Sequence, residues 1–293
     1  MRKNISSLLL SLLIVAPLIT ISQNSNTVSN PLIVLKGSIA DQKTKLGLSY
    51  VSIGILDKPI GTLSDSLGNF SFEITEENLN DTLQISLVGY STRRMLAKDF
   101  QNSKDGIILM QISYTSLQEV VVTNHTNETE ILGRQKSGKL IQVSLHNRKS
   151  AEETIGSEMG IRVSNKHENA FLKDINWHFS ANNFRKIKIR VNIYSMKNDL
   201  PDTLITNKQL IYTIEDFKTG WIKFDLEPYE VQVPSDFLIS IQWLEGKQDK
   251  VERPITIVPV ATSFSQKCYV RIASQDKWKR MGMNPSCYVT LMY

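Results

Sequence analysis

The chain has 293 residues, a length at which two domains of ordinary size are expected. Its residues are 41% hydrophobic and 22% charged, which is the composition of a globular protein and excludes an intrinsically disordered one. Its 34 basic residues exceed its 29 acidic ones, which gives a net charge of +5. Without Arg2 and Lys3, 32 basic residues remain and the net charge is +3, an excess too small to indicate a nucleic-acid partner.

The first 22 residues have the layout of a secretory signal peptide. Arg2 and Lys3 precede an apolar run over residues 8–21, and a polar stretch follows that run. The run is short for a membrane span and contains Pro17; an uncleaved anchor is the alternative. We therefore expect an exported protein with no transmembrane segment in the mature chain. Its place would be the periplasm, the outer membrane or the cell surface.

Two amphipathic stretches lie between Gly61 and Arg94. Apolar residues occupy every second position in both of them: Phe70, Phe72, Ile74, Leu83, Ile85 and Leu87. This spacing predicts two half-buried antiparallel strands that form a hairpin in the core of a sandwich. A turn is predicted before the first strand, because Asp65 can bond its own backbone and Gly68 tolerates a positive φ.

The surrounding residues resemble the carboxypeptidase-regulatory-like domain. The resemblance rests on LKGSIAD at 35–41, LGLSYVSIGI at 46–55, Thr62 and Asp65 before Gly68-Asn69-Phe70, and LQIS before Gly89-Tyr90. It implies a transthyretin-like sandwich of seven strands over residues 32–114. The family takes its name from an accessory domain beside a zinc peptidase, and the peptidase is a separate domain. The resemblance therefore implies a scaffold that is not an enzyme.

One short motif favours a metal site. His125 and Glu128 have the H-x-x-E spacing of a zinc carboxypeptidase site. They lie in a polar stretch in which no rigid element would fix the ligand geometry. We therefore expect no metal site, no cofactor and no catalytic residue.

Residues 115–155 are predicted to be a linker, because residues 124–149 are polar and lack strand or helix periodicity. The first part, TSLQEVVVT at 115–123, resembles the segment that follows this domain in TonB-dependent outer-membrane transporters, although the chain is too short for their barrel. Two interpretations of residues 115–123 stay open. They form a last sandwich strand, or they form an exposed peptide that adds to the sheet edge of a partner.

Period-two alternation recurs in residues 156–293, with proline and glycine between the runs. The runs cover residues 171–179, 187–193, 222–226 and 237–243. They predict a second, jelly-roll-like sandwich. The expected fold class is thus all-β, with two antiparallel sandwiches after a signal peptide. The segments RVNIYSMKNDLP, TGWIKFDL and FLISIQWLEG resemble an uncharacterised sandwich module of secreted proteins, which implies no known activity.

Five residues of the second sandwich are candidate glycan contacts. Lys186, Lys188 and Arg190 share one strand face, and this basic stripe would meet either anionic glycans or solvent. Trp221 and Trp278 lie among polar residues, where an indole either stacks on a sugar ring or packs locally. Sugar binding by both indoles would require that they line one exposed concave surface.

Cys268 and Cys287 each begin a Cys-Tyr-Val run. If the two runs paired as a hairpin, the thiols would face each other and the turn would lie between Lys277 and Trp278. A disulfide and two buried free thiols are the two alternatives.

Together these observations predict a non-enzymatic exported module that binds or assembles with an unknown protein or glycan of the cell envelope. The alternative is a carbohydrate-binding protein that uses the two tryptophans and the basic stripe.

Overall fold

The computed structural model describes residues 31–113, 128–138, 140–145, 154–250, 253–264 and 267–293. The predicted signal peptide, residues 115–123 and His125 lie outside these ranges. Residues 32–293 belong to one compact unit. Strands account for 56% of the structure and helices for 6%, which confirms the all-β fold class.

Seven strands and two short helical segments build the first sandwich. The strands are β1 (Leu32–Asp41), β2 (Ser52–Ile55), β3 (Gly61–Leu63), β4 (Asn69–Thr75), β5 (Thr82–Ser86), β6 (Arg93–Leu96) and β7 (Ile107–Met110). The helical segments are a 3-10 turn at Glu76–Asn80 and the helix α1 at Ala97–Gln101. Seven strands is the number that the family resemblance implies.

The first sandwich consists of the sheets β4-β1-β7 and β3-β2-β5-β6. All neighbours are antiparallel except β1 and β7, which run parallel. The predicted hairpin is wrong, because β4 pairs with β1 whereas β5 pairs with β2 and β6. The two strands lie in opposite sheets. Their apolar residues Phe70, Ile74, Leu83 and Ile85 belong to the same buried core.

The turn before β4 has the predicted chemistry. The Asp65 carboxylate accepts hydrogen bonds from the backbone N–H groups of Leu67 and Asn69, both at 2.8 Å. Gly68 has a φ of 90°, in the left-handed region that favours glycine. A Cβ there would lie 2.4 Å from the carbonyl oxygen of Ile39, so a larger residue has no room.

The second sandwich contains the remaining strands. They are β8 (Thr129–Gly133), β9 (Ile141–Ser144), β10 (Glu158–Ser164), β11 (Phe171–Phe179), β12 (Ala181–Asn182), β13 (Lys186–Lys197), β14 (Leu200–Leu204), β15 (Leu210–Glu215), β16 (Gly220–Asp225), β17 (Asp236–Lys247), β18 (Thr256–Thr262), β19 (Cys268–Arg271), β20 (Lys279–Met281), β21 (Met283–Pro285) and β22 (Cys287–Met292). A 3-10 turn at Glu227–Tyr229 follows β16.

Three sheets organise these strands. The largest has the order β14-β13-β17-β10-β19-β20, and β15 also pairs with β13. The second has the order β16-β11-β22-β8, and the third has the order β12-β18-β21 with β9 beside β18. Alternate residues of β13 and β17, among them Ile189, Ile193, Phe237 and Ile241, are at most 3% exposed and belong to one core. The predicted period-two runs therefore correspond to real buried faces.

Two pieces of the predicted linker belong to the second sandwich. Strand β8 pairs with β22, and β9 pairs with β18. Both strands are short and largely exposed, with five and four residues. A short edge strand buries little of its surface, so its sequence carries little alternation that would reveal it.

Candidate functional site

The strand face that carries the predicted basic stripe is covered by the first sandwich. Arg190 is only 4% exposed. Lys188 Nζ lies 2.8 Å from the hydroxyl of Tyr50 and 2.8 Å from a carboxylate oxygen of Glu245. Lys186 pairs at 3.6 Å with Glu215 at the rim of the sheet. The prediction of one exposed basic stripe is therefore wrong, because its centre meets protein and not solvent.

Arg190, on β13 of the second sandwich, forms hydrogen bonds with residues of both sandwiches. Its Nη1 donates to the carbonyl oxygen of Tyr50 and to Gln209 Oε1, both at 3.0 Å. Its Nη2 donates to Ser52 Oγ at 3.3 Å, and Nε and Nη2 both donate to Gln242 Oε1. Burial lowers the pKa of this guanidinium. All of these acceptors are uncharged, which is uncommon for a buried arginine.

A buried carboxylate lies on the same face of the large sheet. Glu158 is 3% exposed and receives two hydrogen bonds from the Arg271 guanidinium, at 2.8 and 2.5 Å. Asn192 Nδ2 donates to it at 2.8 Å, and the hydroxyls of Ser240 and Tyr194 also donate to it. Burial is the strongest single influence on Arg271 and lowers its pKa, but Glu158, Tyr194 and Asp276 together outweigh burial and raise the pKa of the guanidinium. Burial raises the pKa of Tyr194 as well.

The loop at residues 273–276 docks onto the outer face of the first sandwich. Gln275 Nε2 donates to Ser86 Oγ at 2.8 Å and to the carbonyl oxygen of Ser52 at 3.3 Å. Gln275 Oε1 accepts from Gln84 Nε2 at 2.6 Å, and the Gln275 carbonyl accepts from the N–H of Asp57. These bonds join β2, β5 and the β2–β3 turn to the second sandwich.

A cleft of about 910 Å³ opens between the two sandwiches beside this network. The first sandwich lines it with Gln84, Ser86, Arg94 and residues 87–92. The second lines it with residues 202–208 and 229–232, and with Arg190, Asn192, Tyr194, Gln242, Arg271 and Trp278. The cleft lies at the upper end of the volume range of about 300–1,000 Å³ that is typical of ligand sites.

Trp278 stands in this cleft within an aromatic and cationic cluster. Its ring meets the ring of Tyr194 edge to face, with 5.6 Å between centroids. The Arg271 guanidinium lies over the indole, 4.7 Å from its centroid. Because Glu158 holds Arg271, the buried carboxylate also fixes the cation that packs on Trp278.

Trp221 lies elsewhere, in the sheet β16-β11-β22-β8. Its ring packs edge-on against His178 and Tyr288, with centroids 5.1 and 5.0 Å away. Burial lowers the pKa of His178. Trp221 does not line the cleft that contains Trp278. The two indoles therefore do not form one concave surface, and only Trp278 stands beside the polar network.

Cys268 and Cys287 lie in different sheets, and both are fully buried free thiols. Strand β19 pairs with β10 and β20, whereas β22 pairs with β11 and β8, so the hairpin considered from the sequence does not form. Burial raises the pKa of the Cys268 thiol to about 12. Burial and the neighbouring Cys268 raise the pKa of Cys287 as well.

Sequence reasoning missed Glu158, Arg271, Tyr194 and the amides beside them. A signal was present in β17, where Leu238 and Leu244 occupy the face opposite the apolar core and are buried at 0% and 2% exposure. A solvated strand face would carry charged residues at such positions. Leucine there indicates that both faces of the strand are covered.

Three other observations on the described residues bear on the choice of site. A smaller cavity of about 240 Å³ lies against the second core and is lined mainly by apolar residues such as Met159, Trp243 and Met283. Within the same residues, no three His, Cys, Asp or Glu side chains come together as a metal site requires. None of the helices described is long and apolar enough to cross a membrane.

Comparisons with known proteins identify a family for the part of the chain that forms the first sandwich. Residues 35–122 match the family model of the CarboxypepD_reg-like domain. No curated protein matches the chain. Among solved structures, the cysteine protease and lectin-like domains of Cwp84, a surface-layer-associated protein of Clostridium difficile, show 9% identity and a TM-score of 0.41. That match covers 80% of this chain and 46% of the other.

A clostridial cysteine protease Cwp84 after propeptide cleavage shows 8% identity and a TM-score of 0.39, over 92% of this chain and 73% of the other. These likenesses are too distant to carry an argument about activity. The matched residues include most of β1, all of β2 to β7 and the turn at Asp65 and Gly68. Residues 35–122 therefore contain a CarboxypepD_reg-like domain.

Proposed function

We propose that this protein is a non-catalytic, exported module of the cell envelope that binds its ligand or partner in the cleft between the two sandwiches. The single observation that carries the proposal is the cleft itself, because residues from both sandwiches line it and a hydrogen-bonded polar network lies beside it. Fixed walls and converging polar groups are the usual features of a binding site.

Export is supported by the sequence of the first 22 residues, in which a basic start precedes a short apolar run. A non-catalytic role is supported by the CarboxypepD_reg-like domain, whose resemblance implies a scaffold. Polar groups that line the cleft also form hydrogen bonds within the protein, as Arg190 does with Gln242 and Arg271 does with Glu158.

Carbohydrate binding is the second candidate, and Trp278 favours it. An indole that lines a cleft beside Tyr194 and several amides offers both a stacking surface and hydrogen-bonding groups for sugar hydroxyls. Trp221 no longer supports this candidate jointly with Trp278, since the two residues lie in separate places.

The test compares two matched variants, Trp278→Ala in the cleft and Trp221→Ala outside it. Immobilised wild-type protein is exposed to solubilised envelope proteins and to a glycan array. We expect wild type and the Trp221→Ala variant to retain the same component, and the Trp278→Ala variant to lose it. Thermal unfolding of all three proteins checks that the fold is intact.

Equal retention by the Trp278→Ala variant would contradict the proposal that the cleft is the binding site. A retained protein would favour the assembly role, and a retained glycan would favour the carbohydrate-binding role.

A further inference from the structure

The smaller cavity lies inside the second sandwich and shares only Arg271 with the lining of the cleft. Strands β10, β13, β17, β19 and β20 of the large sheet line it together with β9 and β21. The side chains around it are mainly apolar, and they include three of the eight methionines of the chain, Met159, Met281 and Met283. Methionine is flexible and polarizable, so it adapts to apolar ligands of different shapes. Such a lining favours an apolar occupant over water.

The volume of the cavity sets the size of that occupant. An apolar cavity of about 150 Å³ takes up one benzene ring. The volume of about 240 Å³ is larger by a factor of about 1.6, which corresponds to about ten carbon atoms. The cavity therefore fits a medium-length alkyl chain and has no room for a longer one.

The cavity reaches the protein surface at the edge strand β20. Met281 belongs to this strand, lines the cavity and is 38% exposed. On the opposite wall, Val143 and Leu145 belong to β9 and to the residue after it, and both are half-buried. A ligand would thus enter beside Met281, between an edge strand and a short neighbouring strand.

A lysine stands beside this opening. Lys279 lies two residues before Met281 on β20 and directly opposite Val270 on β19, and both of these neighbours line the cavity. Residues two apart on a strand share a face, as do residues directly opposite in an antiparallel pair. The exposed Lys279 side chain therefore lies on the cavity side of the sheet. Within the ranges that the structure describes, no carboxylate forms an ion pair with it, whereas Arg280 pairs with Asp199 at 3.6 Å.

From this geometry we propose that the cavity binds a free medium-chain fatty acid, with the alkyl chain among the methionines and the carboxylate beside Lys279. An apolar cavity with one cation at its opening complements both parts of such an amphiphile. The site is separate from the cleft between the sandwiches, so this inference goes beyond the proposed function and does not depend on it.

The experiment measures binding of hexanoate, octanoate, decanoate and dodecanoate to the full chain by calorimetry. Each methylene that enters the cavity is expected to raise the affinity about fourfold. The rise should stop at decanoate, because further methylenes find no room. Association with micelles or with the protein surface would instead strengthen steadily up to dodecanoate.

The charge is tested with a pair of neighbouring variants and a neutral ligand. Lys279→Ala is expected to lower the affinity for decanoate about two- to fivefold, because an exposed ion pair is lost. It should leave the affinity for decanol unchanged, whereas a loss of structure would weaken both ligands. The matched control is Arg280→Ala, whose residue lies on the other face of the same strand, and it should change neither affinity.

The cavity itself is tested by filling it. Val143→Phe places a larger side chain in the lining, and we expect it to lower the affinity for decanoate at least tenfold. The matched control is Gln142→Phe, at the preceding residue of β9, which is absent from the lining. Thermal unfolding checks that both variants fold. If Val143→Phe does not fold, the chain-length series and the pair at β20 still decide the question.

No saturable binding of decanoate by the wild-type protein would overturn the inference. So would an affinity that keeps rising from decanoate to dodecanoate, or full binding by a folded Val143→Phe variant. Equal effects of Lys279→Ala and Arg280→Ala on decanoate would overturn the position of the carboxylate. Trp278→Ala, which tests the cleft, should bind decanoate as the wild type does, so the two proposals fail separately.

Discussion

Replacing Glu158 with glutamine removes the charge of a fully buried side chain while nearly keeping its volume. In the native protein Glu158 accepts two hydrogen bonds from Arg271, whose side chain is 13% exposed. Glutamine has only one side-chain oxygen, and its NH2 group is a hydrogen-bond donor. It therefore cannot replace both carboxylate oxygens as acceptors for the groups that surround Glu158. Removal of one partner of a buried ion pair costs about 3–5 kcal/mol, because the other charge stays buried and unpaired. We expect a loss of that size in the free energy of unfolding.

The assay is urea denaturation followed by tryptophan fluorescence, with Glu215→Gln as the matched control. Glu215 pairs with Lys186 at 3.6 Å, and both side chains are substantially exposed, at 61% and 42%. An exposed pair contributes about 0–1 kcal/mol, so the control should remain close to wild type. The same substitution chemistry is thus compared in a buried and an exposed ion pair.

A double-mutant cycle with Arg271→Met isolates the pair itself. When both charges are absent, no buried charge is left unpaired, so the double variant should be more stable than additivity predicts, by about 1–3 kcal/mol. The reasoning would be refuted if Glu158→Gln lost no more stability than Glu215→Gln. Strict additivity in the cycle would refute it too.

Three further predictions address packing, the thiols and export. Gly54→Ala should lower the free energy of unfolding by about 1–3 kcal/mol, because a Cβ at this position would lie 2.6 Å from the Ser274 carbonyl oxygen. The control is Gly138→Ala, because a Cβ there would have a side-chain tip at 3.5 Å as its nearest neighbour. The pKa of Cys268 is raised from 9.0 to about 12, so its contribution to stability is complete below pH 9.0 and is lost as the pH rises toward 12. Urea titrations should show a smaller decline over that interval in Cys268→Ala, and an unchanged decline would contradict the assignment. Expression in a Gram-negative host should yield a mature chain that begins near Ser22 or Gln23, as measured by mass spectrometry; an unprocessed chain in the cytoplasm would contradict export.

The positions of the candidate site residues could not be predicted from local sequence. Period-two alternation shows that the faces of β13 and β17 differ, but it does not show what covers the second face. Arg190 has the sequence context of an exposed charge, yet it is 4% exposed because the first sandwich packs over it. Trp221 and Trp278 have similar polar neighbours in sequence, and only strand order places one in the cleft and the other in a separate sheet.

The sequence alone determined the all-β class, the family of residues 35–122 and the turn at Asp65 and Gly68. These features depend on alternation and on local backbone chemistry, which neighbouring residues set. Tertiary structure alone decided that β4 and β5 lie in opposite sheets and that β8 and β9 join the second sandwich. It also decided that β19 and β22, the strands that begin with the two cysteines, do not pair as a hairpin. Strand pairing joins residues far apart in the chain, so only the packing of the whole molecule selects the partners and creates the cleft.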